Sequence, residues 1–313
     1  MSAKAAQLKY KHPTHTLLSE MVKHKMVYLL LSPFYILFIC FFLFPAGFSF
    51  AVSFTQWDGI GDMQFVGLRQ YRFLFGDTNF TQSFMNTIRI WIKSTIPMLS
   101  IAFTVAFLLN SRAIKFPQLF KTIFFLPNVT SIVSIAIIFT TIFGNHFGIV
   151  NYIIQHFGGD PVPWLRRPDL LQVSIATIVA WRWTGYNIVI YLAGLQRIPT
   201  DLYEAAAIDG ANMRKIFTHI TLPLMNPIII FTVITTTIGG LQIFAEAQML
   251  VEGTAARGGG GGAGGGGLTL VFFLYRLAFI NNQYAYAAAV SWVLFAVIAL
   301  LSFIAWKLIH RKD

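Results

Sequence analysis

The sequence predicts an all-α membrane protein with six transmembrane helices and both termini in the cytoplasm. Three observations carry this. Of 313 residues, 56% are hydrophobic and only 11% are charged, with a mean hydropathy of +0.65. A soluble domain carries roughly 25% charged residues, so this chain cannot clothe a globule of its size in polar surface, and the same apolar excess excludes intrinsic disorder. Second, six stretches reach the length of about 20 residues that a helix needs to cross a bilayer. They lie at about 26–54, 88–109, 120–143, 170–195, 224–250 and 284–309. Third, fourteen of the 23 Lys and Arg fall in the two tails and alternate connections, which the positive-inside rule assigns to the cytoplasm.

The first 25 residues form a basic tail with Lys4, Lys9, Lys11, Lys23 and Lys25. The apolar stretch after it is too long and too rich in Phe for a cleaved signal peptide, and no small-x-small site follows. It reads as a retained helix. An external loop at 55–85 carries Trp57, Asp58 and Asp62, and a second at 144–169 carries Pro161, Pro163, Trp164 and Pro168. In the third, glycines at 258–262 and 264–267 flank Ala263, nine of the chain's 24. Such a run buries no apolar side chain and loses the most backbone entropy on ordering, so a mobile external linker is expected there. No Lys-Ser/Thr follows at the spacing a phosphate-binding loop requires. A single cysteine, Cys40, excludes a disulfide framework and a Cys-based metal cluster. The net charge of +11 is spread over several connections and tails with no aromatic-interleaved patch, which removes nucleic acid as a partner.

The cytoplasmic connection at 196–223 differs from the others. Thr200 or Asp201 is placed to cap a helix with Glu204 in its first turn, where a carboxylate favours the helix dipole. Ala205, Ala206 and Ala207 are strong helix formers, Gly210 supplies a C-cap, and Asn212 can start a second short helix ending before Pro223. The outcome is a helix–turn–helix elbow with a semi-apolar face of Leu202, Ala205, Ala206, Phe217 and Ile220. Two ordered helices exceed what a connection needs, which leaves two readings: a docking surface offering Glu204 and Asp209 to basic partner groups, or an amphipathic pair lying at the lipid headgroups.

Glu204-Ala205-Ala206, then Gly210, nine intervening residues and Ile220-Thr221-Leu222-Pro223 resemble the EAA loop of bacterial ATP-binding-cassette (ABC) import permeases. The flanking Leu195-Gln196-Arg197-Ile198-Pro199 and Leu202-Tyr203-Glu204 are similar to the carbohydrate-uptake branch, the maltose-type and glycerol-phosphate-type permeases. A weaker likeness runs over 81–309 and includes Phe125-Leu126-Pro127, Leu268-Thr269-Leu270 and Tyr275; the glycine tract departs from it by its length. The resemblance implies a multi-pass permease of the bacterial inner membrane, with residues 26–80 as first helix and external loop, 81–309 as permease domain and 310–313 as a cytoplasmic tail. It implies that Glu204, Ala205, Ala206, Asp209, Gly210, Phe217 and Pro223 couple to an ABC ATPase dimer. It further implies a second permease chain, related but different, and an external substrate-binding protein.

Polar groups at membrane depth are costly and mark function by default. In the fourth span, Trp181-Arg182-Trp183-Thr184-Gly185-Tyr186-Asn187 fits either a sugar pathway, with aromatic faces for sugar rings and amides for hydroxyls, or an interfacial aromatic belt with Arg182 snorkelling outward. The resemblance puts Trp183 and Tyr186 on the substrate path. The fifth span adds Thr236, Gln242 and Glu246, the last two on one helical face by their spacing of four, while Thr232 and Gly239 read as close-packing positions. Asn128, Thr130 and Ser131, after Pro127, are expected at a kink facing the same cavity. There is no HExxH pair and no Walker lysine, so the chain reads as a transport subunit without cofactor, its energy drawn from a separate ATPase. The cargo this implies is a di- or oligosaccharide, with a glycerol phosphodiester or another polyol as the alternative, since Arg182 could pair with a phosphate. An ion-coupled carrier would need inverted repeats and coupling carboxylates, which are not traceable.

Overall fold

The computed structural model describes residues 24–111, 114–145, 147–253 and 261–310. The chain divides into two compact units, Met1–Ala51 and Val52–Asp313. The first contains nearly all of helix α1 (Lys25–Val52), whose apolar window buries nothing within the chain. Phe34, Phe38 and Phe42 stack along one side at centroid spacings of 6.2 and 5.1 Å, and a π-helical turn spans Ile39–Leu43. A helix apolar all round is stable where its surroundings are apolar too.

The second unit opens with a small hairpin, β1 (Thr55–Gln56) antiparallel to β2 (Gln64–Phe65). Then come α2 (Arg69–Gly76) and α3 (Thr78–Leu109). Asp77 caps α3, accepting from the Asn79 amide at 2.8 Å, and its other carboxylate oxygen accepts from the Tyr286 hydroxyl at 2.8 Å. At 1.5 Å per residue, α3 is about 48 Å long, more than the roughly 30 Å of a bilayer core. Hydroxyls along the helices, such as Ser100 to Ile96 and Thr104 to Ser100, donate to carbonyls one turn back, which satisfies them without water.

The stretch expected as one span at 120–143 is two helices, α4 (Pro117–Val129) and α5 (Ile132–Ile142), bent by 94°. The break falls at Thr130 and Ser131, as the polar run after Pro127 foretold, although it is a corner rather than a kink. The second external loop contains α6 (Ile149–His156). Fully buried Asn151 organises it, donating to the carbonyls of Gly144, Asn145 and Val162 and accepting from Val162 N and Trp164 Nε1. Helix α7 (Pro168–Leu195) follows with Pro168 at its start and Asp169 in its first turn; the exposed Arg167 guanidinium 2.8 Å away holds that carboxyl below the usual range.

After α8 (Thr200–Ile208), helix α9 (Met213–Leu241) passes through a π-helical turn at Phe217–Thr221. The fifth expected span does not reach 250 unbroken. It stops at Leu241, and α10 (Ala245–Gly253) is a separate helix. The carbonyl of Ile243 in the break accepts from the Thr269 hydroxyl at 2.6 Å, and Thr269 also caps α11 (Leu270–Ile280). Helix α12 (Tyr284–His310) ends the described chain. Among the described residues, four helices are long and apolar enough to cross a bilayer, or five if the bent α4–α5 pair is counted as one span. Helix α7 is 28 residues long but is not among them, its polar run at 181–187 diluting the apolar content.

Packing centres on α7, which lies along α3 and is crossed by α4. One buried cluster joins α3, α5, α7 and α9–α12 through Ile90, Ile135, Ile175, Leu241, Leu250, Leu270 and Val290. A second, around Ala102, Ala106, Ile188, Leu192 and Met225, joins the opposite ends of α3 and α7 to the start of α9. The α4 crossing needs Gly185, where a Cβ would lie 1.8 Å from the Phe124 carbonyl oxygen.

The glycine tract departs from expectation. Residues 258–260 lie outside the described set, but 261–267 are no free tether. Gln82 donates to Gly264 O at 2.7 Å and Asn86 to Gly265 O at 2.8 Å, while Gly267 packs on Val251 and Leu171. Side chains from α3 supply the contacts that glycines cannot make for themselves.

Candidate functional site

Two regions gather the residues singled out above. The first is the elbow. Helix α7 ends at Leu195, and α8 starts after Pro199, a non-helical N-cap with no side-chain bond, so neither Thr200 nor Asp201 is the cap. Asp201 occupies the first turn and Glu204 the second. At the far end Gly210 takes φ +73°, Ala211 N donates to Ala206 O at 2.9 Å, and Gly210 N to Ala207 O at 3.1 Å. This pair of bonds is the Schellman closure that a left-handed residue makes possible. Asn212 then accepts from Lys215 N at 2.9 Å and starts α9, which runs on through Pro223 instead of ending before it.

Glu204, Ala205, Asp209 and Gly210 are exposed together, with Ala206 half-buried beside them. Pro223 is exposed at the start of the long part of α9. Phe217 is not on that face. It is wedged edge-on against Phe103 and Phe107 of α3, at centroid distances of 5.9 and 5.5 Å. Tyr203 and Thr221 hydroxyls, 3.2 Å apart, tie α8 to α9. The elbow is therefore clamped to α3 on one side and presents a short acidic and alanine-rich surface on the other.

The second region is a cavity of about 460 Å³ between α7, α9 and α10. It is lined by Trp183, Tyr186, Asn187, Thr236, Gln242 and Glu246, all six of the pathway residues read from the sequence, and by Arg182. Trp183 and Tyr186 stand edge to face at 5.9 Å, both partly exposed. Asn187 is buried; its amide donates to Trp183 O at 3.0 Å while its Oδ1 has no partner. Thr236 donates to Thr232 O at 2.6 Å. Gln242 and Glu246 share this wall, but not by helical spacing: the chain breaks between them. Asn128, Thr130 and Ser131 do not line it.

Arg182 does not snorkel. Its Nη1 lies 2.8 Å from Glu246 Oε1, and its guanidinium carbon sits 5.5 Å from the Trp183 ring centre. The spacing of 64 residues between the partners left no local signal of the pairing. Also unread was the polar stripe of Gln82, Asn86, Arg89 and Lys93 along one face of α3, which lines a larger cleft of about 960 Å³ with Gln172 and the glycine tract. Its spacing of four, three and four is a helical one and was visible in principle. Among the described residues no three His, Cys, Asp or Glu come together as a metal site.

The family model for the inner membrane component of binding-protein-dependent transport systems matches residues 98–312. The arabinooligosaccharides transport system permease protein AraP of Bacillus subtilis is 37% identical over 282 residues, 90% of this chain and 87% of that one. The lactose transport system permease protein LacF of Rhizobium radiobacter is 37% identical over 280 residues, 88% of this chain and 91% of that one. Among solved structures, a bacterial ABC transporter involved in import of the acidic polysaccharide alginate superposes with TM-score 0.79 over 94% of this chain and 98% of that chain; at 23% identity this concerns the fold. The chain belongs to the family of inner membrane components of binding-protein-dependent transport systems.

Proposed function

We propose that this protein is the permease subunit of an ATP-driven ABC importer that moves a di- or oligosaccharide across the bacterial inner membrane. One observation carries the mechanism: the cavity and the elbow are built on the same two helices. Helix α7 contributes Arg182, Trp183, Tyr186 and Asn187 to the cavity and ends at the elbow, about 12–20 Å further along at 1.5 Å per residue; α9 starts in the elbow and contributes Thr236. A force on α8 is thus delivered to both walls of the cavity.

In this reading both termini are cytoplasmic, six helices span the bilayer with α7 included, and the permease domain is 81–309. A partner permease, related but different, supplies the other half of the pathway. Each permease elbow, here Glu204, Ala205, Ala206, Asp209 and Gly210 with Phe217 and Pro223 behind them, seats in an ATPase subunit. Closure of the ATPase dimer draws the elbows together, and α7 and α9 rock to open the cavity toward the external binding protein. Hydrolysis resets the cycle, which substrate biases by binding its states unequally. Trp183 and Tyr186 offer apolar ring faces to sugar CH groups, and Asn187, Thr236 and Gln242 offer hydroxyl partners.

The deciding experiment is Glu204→Lys in the complex assembled with its ATPase. Expected is loss of the ATPase on purification, or ATP hydrolysis without sugar uptake, with membrane insertion unchanged. Normal ATPase retention and uptake in this variant would remove the elbow from the coupling path.

A further inference from the structure

We infer that the cavity between α7, α9 and α10 selects an uncharged sugar, and that the Arg182–Glu246 pair is the specificity-determining element. The inference rests on the reading of this cavity as the transport pathway. Among the described residues, Arg182 and Glu246 are the only cationic side chain and the only carboxylate in its lining, and they meet at 2.8 Å with side-chain exposures of 20% and 9%. The part of the cavity that this chain builds is therefore electrically balanced. An anionic ligand that approached Arg182 would have to displace Glu246 and then remain beside its carboxylate. Both steps are unfavourable where water is scarce, because two like charges repel more strongly as the dielectric falls.

The hydrogen-bonding inventory points the same way. Two buried polar atoms of lining residues have no partner: Asn187 Oδ1, which can only accept, and Arg182 Nε, which can only donate. A sugar hydroxyl both donates and accepts, so a polyhydroxyl ligand suits a wall that leaves over one acceptor and one donor. A carboxylate or phosphodiester oxygen only accepts; it leaves Asn187 Oδ1 unmet and confronts its lone pairs. Sites built to pair polar groups reject analogues that leave them unpaired more strongly than apolar sites reject a misfit in size. The glycerol phosphodiester therefore gives way to a neutral saccharide, because the positive charge that would hold its phosphate is already matched by Glu246.

The test uses the complete transporter, with partner permease and ATPases in lipid nanodiscs and without the external binding protein, so that the cavity alone discriminates. Lactose and the uronic acid made from it by oxidising the galactose C6 differ at one carbon, and their binding is compared by competition. The wild type is expected to favour lactose. Glu246→Gln leaves Arg182 unmatched and should move the preference toward the acid by about tenfold. Arg182→Gln should move it the other way, and the double variant should return it to the wild-type ratio. Ratios unchanged in both single variants, while Asn187→Ala weakens lactose binding, would overturn the charge-matching role and leave the pathway standing. Lactose binding unaffected by Asn187→Ala and Trp183→Ala would instead remove the pathway reading itself. Should Glu246→Gln fail to assemble, the opposite shift in Arg182→Gln decides.

Discussion

Gly210 is the sharpest place to break the elbow. Its φ of +73° lies in the left-handed region, and a Cβ built there meets nothing within 4 Å. Replacing it with alanine therefore costs only the backbone term, about 1–2 kcal/mol for an L-residue in that conformation. Gly210→Asn should cost less, because asparagine visits the region more readily. Gly210→Pro is different in kind. Proline fixes φ near −65° and deletes the amide that donates to Ala207 O at 3.1 Å, so the Schellman closure and its second bond from Ala211 to Ala206 both fail. By analogy with proline in a helix interior, the penalty is about 3 kcal/mol or more, enough to unwind the last turn of a nine-residue helix. In proteoliposomes carrying the whole transporter, sugar accumulated per phosphate released should fall in the order asparagine, alanine, proline, with the proline variant hydrolysing ATP and importing almost nothing. An uptake-to-hydrolysis ratio in Gly210→Pro equal to that in Gly210→Ala would show that the closure is not what transmits force.

Two further outcomes follow from close contacts. Gly185→Ala pushes a methyl to 1.8 Å from Phe124 O, so α4 must withdraw from α7. A loss of about 1–3 kcal/mol or more is expected, read as a lower melting midpoint of the purified complex, against no loss in Gly239→Ala, whose Cβ meets nothing within 4 Å. Equal midpoints would refute the crossing. Phe217→Ala removes the wedge between Phe103 and Phe107 without touching the exposed face of α8. The ATPase should still co-purify while uptake per ATP falls; loss of the ATPase would mean that Phe217 acts in docking instead.

What was legible in the sequence follows from the range of the forces involved. The spans could be located because lipid demands an apolar surface over about 20 residues, and that demand is written locally. The elbow could be drawn for the same reason. Pro199, Gly210 and Asn212 act on their own backbone or on a neighbour within four residues, whereas the helix start, the passage through Pro223 and the placing of Phe217, which packs on Phe103 and Phe107 of α3, were misjudged. The break after Leu241 was hidden because its stability comes from elsewhere: the Ile243 carbonyl it frees is taken up by Thr269, 26 residues away. The ordering of 261–267 depends on Gln82 and Asn86, about 180 positions back. Composition registers the entropy of a glycine run but not a partner supplied by another helix. The role of Arg182 was left open between a sugar pathway and an outward-snorkelling belt because its partner Glu246 lies 64 residues away and leaves no mark on the neighbouring sequence.

In the proposed cycle, contacts between distant residues would also join the elbow to the cavity. Phe217 in the elbow touches Phe103, Phe103 meets the Tyr191 ring at 5.2 Å, and the Tyr191 and Thr232 hydroxyls lie 2.8 Å apart. Thr232 O in turn accepts from Thr236, which lines the cavity. Tyr191 and Thr232 are buried, in a region packed by Ala102, Ala106, Ile188 and Met225. Interiors packed to crystal density do not absorb a displacement by local compression; they transmit it or repack as a unit. The Phe217–Thr236 chain crosses α3, α7 and α9, so under the proposed mechanism a movement of the elbow would reach the cavity through packed side chains as well as along the axes of the two helices. The small residues at 102, 106 and 194 let the three backbones come close enough for that chain of contacts to be continuous.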